Sequence, residues 1–89
     1  MWNVILSKKT AKQIQALSDA LKAKVFTLLK EIECGGPVRG EWPNYGKLSG
    51  NRHHCHIKKG RPTYVMVWQV IYSETVEVVY VGSHERAPY

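Results

Sequence analysis

The end of the chain carries three residue types that could act together on RNA. His84, Arg86 and Tyr89 follow the largely apolar run 76–81, which predicts a strand. Histidine exchanges a proton near neutral pH, arginine binds phosphate, and an aromatic ring stacks on a base. A solvated polar tail is the alternative interpretation, because chain ends are usually poorly ordered. The ending therefore predicts half of a site for cleaving RNA.

A second set of candidate residues lies in a predicted strand at 52–57. Arg52, His54 and His56 share one face of this strand, because successive side chains point to opposite faces. The apolar side chains of the strand occupy the other face. His53 lies with them and is predicted to be structural.

Cleavage of RNA by its own 2′-hydroxyl requires a base, an acid and fixed positive charge at the phosphate. His54, His56 and His84 are the candidates for the two proton transfers, and which is base and which is acid stays open. Arg52 is the first candidate for binding the scissile phosphate, and Arg86 is the second.

The chain is basic, and most of its excess charge lies in its middle. Thirteen Lys and Arg against seven Asp and Glu give a formal net charge of +6 over 89 residues. This balance favours polyanions through phosphate contacts and counterion release. A solvated basic face or a surface for an acidic protein is the alternative. Four cations are candidates for binding RNA: Lys47, Lys58, Lys59 and Arg61.

The cysteines and histidines do not predict a metal site. Cys34 and Cys55 are too far apart in the sequence to suggest a metal motif, and both are predicted to be reduced. The run 53–56 holds three histidines and a cysteine, but alternation along a strand prevents them from facing one ion. We predict no metal and no other cofactor. No segment resembles a signal peptide or a membrane span, which predicts a soluble, cytoplasmic protein.

The hydrophobic periodicity predicts one strand, two helices and then a meander of strands. Ser7 and Ser18 are the predicted N-caps of the helices, and the second helix is expected to end at 35–37. Strands are predicted at 2–6, 52–57, 63–72 and 75–81, with a further short strand around 45–48.

These elements predict an α+β fold in a single domain, 1–89. The N-terminal strand and the helical hairpin are expected to pack on one face of an antiparallel sheet of about four strands. The opposite sheet face is expected to stay open. Trp42, Trp68 and Tyr64 are assigned mainly to the core, because large aromatic side chains in strands are usually packed.

With this order of elements, the sequence resembles the RelE/ParE toxin superfamily, in particular its RNA-cleaving branch, the RelE and YafQ type of mRNA interferase. The specific part of the resemblance lies in Lys47–Gly50, Arg52, Cys55–Lys58, Tyr64–Val70 and Tyr80–Tyr89. It implies a RelE/ParE-like domain whose site lies on the sheet face away from the helices. Toxins of this kind cut mRNA in the ribosomal A site by driving a 2′-hydroxyl onto the adjacent phosphate.

The resemblance also implies roles for four residues. His84 matches a general acid or charge stabiliser beyond the last strand, and Tyr89 resembles a C-terminal ring that stacks on the substrate base. Arg86 resembles the cation between them, and His56 matches the histidine of a Cys-His-Ile stretch. This chain departs from YafQ-like sequences at 60–62, where Gly-Arg-Pro stands in a region that carries an acid and a tryptophan in those relatives.

We therefore expect a type II toxin that acts as a ribosome-dependent, metal-independent mRNA endoribonuclease and inhibits translation. Its partners would be the ribosome, mRNA and a cognate acidic antitoxin. Two alternatives stay open. A ParE-like toxin would bind DNA gyrase without cutting RNA, although that class lacks the clustered His, Arg and Tyr. A non-toxic RNA- or protein-binding module would keep the fold, and growth on induced expression would identify it.

Overall fold

Two helices and five strands follow the predicted order along the chain. A computed structural model describes all residues, 1–89. The elements are β1 (Asn3–Leu6), α1 (Lys8–Gln15), α2 (Asp19–Gly35), β2 (Gly46–Lys47), β3 (Arg52–Lys58), β4 (Tyr64–Tyr72), β5 (Thr75–Ser83) and a 3₁₀ turn (His84–Arg86). Neither helix has the length and apolar character that crossing a membrane would require.

The five strands form one mixed sheet in the order β1-β5-β4-β3-β2. Strands β2 to β5 pair antiparallel, as the meander predicts, whereas β1 runs parallel to β5. The α+β architecture is confirmed, with one difference: the N-terminal strand extends the sheet instead of packing on its face. Pairing with β5 satisfies backbone groups of β1 that a face-packed strand would leave without partners.

Both helices begin at the predicted caps and cover one face of the sheet. Ser7 Oγ accepts a hydrogen bond from the Thr10 backbone N–H at 3.1 Å, and Ser18 Oγ accepts one from Leu21 at 3.3 Å. The apolar stripe of α2 packs on the inward side chains of the sheet. Fully buried members of this core are Val25, Leu28, Ile32, Cys55, Met66, Trp68, Val76 and Val78.

The sheet face away from the helices, here called the outer face, is partly covered by polar rings. Val65 and Val67 alternate with the core residues of β4, so they point to the outer face, yet both are fully buried. On that face His54 and Tyr80 flank Val67 in the register of the sheet. Side chains of the outer face itself therefore bury the centre of β4.

A register shift in β5 sets the direction of one of these rings. Val78 pairs with Trp68 and Tyr80 pairs with Val67, which leaves Val79 without a partner in β4. Such a bulge changes which face the following side chains occupy. Val78 lies in the core, Tyr80 lies on the outer face, and Val81 is again in the core.

Candidate active site

Strand β3 places three of the predicted site residues on the outer face. Its burial alternates strictly, with Arg52, His54 and His56 half-buried and the residues between them buried. The fully buried Cys55 belongs to the core under the helices. The separation of the two sets of side chains predicted from the alternation is therefore present in the structure.

The end of the chain folds back over these residues. Beyond β5, the His84 backbone N–H donates a hydrogen bond to the Thr63 carbonyl at 2.8 Å, and Ala87 N–H donates to the His84 carbonyl at 3.2 Å. These bonds hold the 3₁₀ turn against the start of β4. The last residues are folded against the sheet, which disagrees with the interpretation of a free polar tail.

Four rings meet where the chain end reaches the outer face. The centroids of His56 and His84 lie 5.4 Å apart, edge to face, and those of His54 and Tyr89 lie 4.6 Å apart. Tyr89 also meets His84 edge to face at 5.6 Å. We call His54, His56, His84 and Tyr89 the ring cluster. Tyr89 is still 45% exposed, so part of its ring is free to contact a ligand.

Two glycines allow rings to lie close to the sheet beside the cluster. A Cβ atom at Gly46 would lie 2.9 Å from His54 Nε2, and one at Gly82 would lie 2.7 Å from Tyr80 Oη. Real Cβ contacts are longer than this, so a side chain at either position would displace the ring. Tyr80 Oη donates to the Ser83 carbonyl at 2.7 Å. Neither these glycines nor the outward direction of Tyr80 was predicted from sequence, because both depend on strand register.

The electrostatics of the cluster favour neutral histidines on β3. Burial lowers the pKa of His54, and the charge of a protonated His84 lowers it further. Burial also lowers the pKa of His56, with smaller effects from His84, His54 and Lys59. Each ring is therefore ready to accept a proton at neutral pH.

The hydrogen bonding of His54 also favours its neutral form. Its Nδ1 atom is buried and has no hydrogen-bond partner. A protonated imidazole carries an N–H at both ring nitrogens, so protonation would leave a buried donor unsatisfied. The protein therefore stabilises the neutral form of His54.

Arg52 provides a positive charge on the outer face, next to His54 along the strand. Its Nε donates to Gln69 Oε1 across the sheet at 3.1 Å. The Nη groups make no hydrogen bond or salt bridge within the chain. Gln69 thus holds the guanidinium while leaving Nη donors free for a phosphate. Gln69 was not among the residues predicted from sequence, because its role depends on cross-strand pairing.

Of the other cations of the predicted site, only some lie beside the cluster. Arg61 and His84 line one cleft, and Lys59 is close enough to lower the pKa of His56. Arg86 lines a separate groove with Lys9. The structure therefore brings Lys59 and Arg61 to the cluster but directs Arg86 elsewhere.

Lys47 and Lys58 lie off the outer face. Lys47 pairs with His53, so its side chain lies on the helix side of the sheet. Lys58 follows a register shift at the end of β3, pairs with Tyr64 and donates to the Pro62 carbonyl at 3.1 Å. Its Nζ lies 5.9 Å from the Tyr64 ring centroid. RNA binding by these two lysines stays a prediction.

His53 occupies the helix side and has partners for its ring. A 2.6 Å hydrogen bond joins its Nδ1 to Tyr45 Oη, and its ring stacks on Trp68 at 6.0 Å with the planes 7° apart. Trp68 is fully buried, whereas Trp42 and Tyr64 are partly buried against the core. His53 therefore belongs to the packing of the sheet.

The thiols take no part in the cluster. Cys34 is exposed and Cys55 is buried, and neither forms a disulfide. Burial raises the pKa of the Cys55 thiol to about 12, so it stays protonated and unreactive at neutral pH.

The ring cluster can exchange protons, stack a base and, with Arg52, bind a phosphate. No three His, Cys, Asp or Glu side chains are grouped to hold a metal ion.

The chain resembles known proteins in its fold but not in its sequence. No protein-family model matches the sequence, and no curated protein matches it. The crystal structure of the isolated E. coli RelE toxin superposes with a TM-score of 0.71, covering 99% of this chain and 89% of RelE at 22% identity. The chain has a RelE-like fold.

A second RelE-like structure superposes on nearly the whole chain. The archaeal RelE–RelB complex from Pyrococcus horikoshii OT3 superposes with a TM-score of 0.70, covering 97% of this chain and 98% of that chain at 14% identity. At these identities the likeness concerns the fold. The RelE-like fold includes the terminal strands β1 and β5 as well as the helical hairpin, because nearly the whole chain is superposed.

Proposed function

We propose that this protein is the toxin of a type II toxin–antitoxin system and cleaves mRNA on the ribosome. The observation that carries the proposal is the convergence of His54, His56, His84 and Tyr89 on the outer face of a RelE-like fold. Arg52 lies beside them on the same strand face. These side chains supply the proton acceptor, the proton donor, the cation and the stacking ring that RNA cleavage requires.

The reaction is an attack of a 2′-hydroxyl oxygen on the adjacent phosphorus. The new O–P bond forms as the bond to the 5′-oxygen breaks, which leaves a 2′,3′-cyclic phosphate and a 5′-hydroxyl. One group takes the proton of the attacking hydroxyl, and another gives a proton to the leaving oxygen. Atoms and charges balance without a further reactant.

His56 is the base in this proposal and His84 the acid. The lowered pKa of His56 keeps its ring neutral, as a base requires, whereas Nδ1 of His54 is buried. The rings of His56 and His84 meet edge to face, so a phosphate lying over both would contact each. His54 packs under Tyr89 and supports the ring that stacks on the base.

Arg52 stabilises the charge that develops on the phosphate. Its free Nη groups can donate two hydrogen bonds to phosphate oxygens while Nε stays on Gln69. Lys59 and Arg61 lie near enough to attract the RNA backbone, and the net charge of +6 favours ribosomal and messenger RNA in general. The activity would take place in the cytoplasm, where translating ribosomes are found.

The proposed inhibitor is an acidic antitoxin that folds on the toxin. Its charge would complement the basic surface of the toxin, and a disordered segment can cover a large area when it folds on binding. A RelE-like chain has been solved in complex with RelB, which supports a protein partner of this kind.

Purified protein with programmed ribosomes tests the proposal. We expect cleavage of mRNA at the codon in the A site, 5′-hydroxyl ends on the downstream fragments, and no cleavage of the same RNA without ribosomes. Primer extension after induced expression should show the same cuts in cells. Growth arrest without codon-phased cuts would contradict the endoribonuclease and favour a gyrase-binding toxin, and unchanged growth would favour a non-toxic module.

A further inference from the structure

Glu77 is the one acidic residue in the strands of the sheet. It lies in β5 between Val76 and Val78, which are fully buried in the core, so its side chain points to the outer face. The three salt bridges of the chain all lie elsewhere, between residues 30 and 41. A carboxylate on the face that carries the proposed phosphate site repels the RNA backbone. The proposed chemistry gives Glu77 no role.

Glu77 lies in one row of the outer face with Gln69 and Arg52. In the register of the sheet, Gln69 of β4 is directly opposite Arg52 of β3 on one side and Glu77 of β5 on the other. Strands β3 and β5 are two strand spacings apart, about 9–10 Å. An arginine and a glutamate side chain extended toward each other span this distance. Strands β1, β4 and β5 contain no Lys or Arg, so Arg52 is the only cation of this row.

Gln69 separates these two opposite charges. Arg52 Nε donates to Gln69 Oε1 at 3.1 Å, which holds the guanidinium over β4, one strand short of Glu77. The amide has no net charge, so Arg52 keeps its full positive charge for a phosphate. A carboxylate in the same place would accept from Nε and Nη together and neutralise the guanidinium. The side chain between Arg52 and Glu77 is therefore of a type that holds the arginine without neutralising it.

We infer that Gln69 is a positioning residue, which keeps Arg52 directed toward the phosphate and out of an ion pair with Glu77. The inference rests on the proposed function, because Arg52 acts on a phosphate only if the protein cleaves RNA. Without the amide, Arg52 would be free to reach Glu77. Both side chains are half-buried, where opposite charges attract more strongly than in bulk water. The ion pair would then compete with the phosphate for the Nη donors.

The Nε–H signal of Arg52 reports this arrangement without any cleavage. Isotope-labelled protein shows arginine Nε–H groups as separate NMR signals, and Arg52→Lys identifies the one that belongs to Arg52. We expect Gln69→Ala to shift this signal, because the acceptor is lost. Glu77→Gln should shift it again in the Gln69→Ala background, where the ion pair has formed, but not in the wild type. A signal that does not respond to Gln69→Ala, or that ignores Glu77 in both backgrounds, would overturn the inference.

Single-turnover cleavage of ribosome-bound mRNA gives the functional readout. Gln69→Ala should lower the maximal rate by about 10- to 100-fold, as expected for a misplaced catalytic group. The ribosome concentration that gives half of the maximal rate should not change, since Arg52 acts in the transition state. Gln69→Ala should add nothing to Arg52→Ala, because Gln69 acts through Arg52. Thermal unfolding of each variant shows that a lost rate is not lost folding.

Removal of the competing acid should rescue the variant. Glu77→Gln should restore most of the rate lost in Gln69→Ala, yet change the wild-type rate by less than about twofold. Glu74→Gln removes an exposed acid from the β4–β5 turn and is the matched control for net charge. It should rescue nothing. Rescue by neither variant, or by both equally, would contradict a specific competition between Glu77 and the phosphate.

Gln69→Glu distinguishes positioning from packing. The new carboxylate accepts from Nε and one Nη of Arg52, so the unfolding temperature should stay at or above that of the wild type. The cleavage rate should nevertheless fall toward that of Arg52→Ala, because the guanidinium is neutralised and its donors are occupied. A residue that only packs on the sheet would lose stability and rate together. Cleavage by Gln69→Glu at the wild-type rate would overturn the positioning role.

The NMR and kinetic measurements separate this inference from the proposed function. Arg52 shifts as expected, in a protein that cuts no mRNA, would keep the hold of Gln69 on Arg52 and contradict the endoribonuclease. Cleavage of mRNA that is unaffected by Gln69→Ala and Gln69→Glu would keep the endoribonuclease and overturn the positioning role of Gln69.

Discussion

Neighbouring histidines on the two faces of β3 differ in the hydrogen-bond and stacking partners of their rings. His53, on the helix side, is bonded to Tyr45 and stacked on Trp68. His54, on the outer face, has a buried Nδ1 with no partner, and the half-buried His56 ring meets the His84 ring edge to face. A buried polar group without a partner costs stability. The fold tolerates this cost on the outer face alone, which is the pattern expected of a functional site.

The largest contrast between the two faces should appear in catalysis. His56→Ala should lower single-turnover cleavage by about 10²- to 10⁴-fold, because it removes the proposed base. Thermal unfolding should change little, since the His56 side chain is only half-buried and the substitution keeps the backbone hydrogen bond to the Pro43 carbonyl. Loss of folding without loss of rate per folded molecule would place His56 in the structural class with His53.

Arg52 should give the next largest effect. Arg52→Ala should lower the cleavage rate by about 10²- to 10³-fold, as expected for removal of charge stabilisation at the phosphate. Arg52→Lys should recover part of the rate, since an ammonium group cannot reproduce the two-pronged contact. Lys24→Ala on α2 is the matched control for lost charge. An equal loss of cleavage rate in that variant would show that Arg52 acts only through the overall charge of the protein.

Tyr89 should contribute less than either residue, through stacking. Tyr89→Ala should lower the cleavage rate by about 10- to 100-fold, because a stacked base contributes on the order of 1–3 kcal/mol. Tyr89→Phe keeps the ring and should cost much less. Tyr72→Ala removes another exposed tyrosine, at the end of β4, and should leave the rate unchanged. A strong effect of Tyr89→Phe would assign the hydroxyl, not the ring face, to the chemistry.

On the helix side the effect should be on stability alone. His53→Ala should lower the free energy of unfolding by about 1–3 kcal/mol, because it leaves the Tyr45 hydroxyl without its partner and removes a ring beside Trp68. The cleavage rate per folded molecule should stay within about twofold of the wild type. Chemical denaturation and single-turnover kinetics measure the two quantities separately.

The same change should alter how stability depends on pH. Burial, with a smaller effect of Lys47, lowers the pKa of His53 in the folded protein. The unfolded chain therefore takes up protons first, and stability falls as the pH drops through the unfolded value near 6.5. His53→Ala should reduce this slope by up to about 1.4 kcal/mol per pH unit. A slope unchanged between pH 7 and 5 would contradict a neutral, buried His53.

Sequence patterns predicted those features of the molecule that depend on residues close together in the sequence. Alternation along β3 separated His53 from His54 and His56, and two serines marked the starts of both helices. The parallel pairing of β1 with β5 was not predicted, because alternation indicates which face a side chain occupies but not which strand lies alongside. The open outer face was predicted, but its cover of rings was not.

Contacts between distant residues explain what the sequence could not predict about the site. The chain end lies against His54, and the bond from His84 N–H to the Thr63 carbonyl holds it there through a contact between residues far apart in the sequence. The direction of Tyr80 depends on the bulge at Val79, which no turn residue marks. The cross-strand partner of Lys47 likewise decides its face. Their residue types thus made Arg86 and Lys47 candidates for the site. Strand register and the reversal of the chain end decide which side chains actually lie at the ring cluster.

The most direct test of the account is single-turnover cleavage of ribosome-bound mRNA by His84→Ala. Ribosome binding is measured in parallel, with Tyr72→Ala as the folded control. The account predicts a loss of about 10²- to 10⁴-fold in rate with binding nearly unchanged, because His84 gives its proton only in the transition state. A wild-type rate for His84→Ala would show that the ring cluster is packing and not an active site.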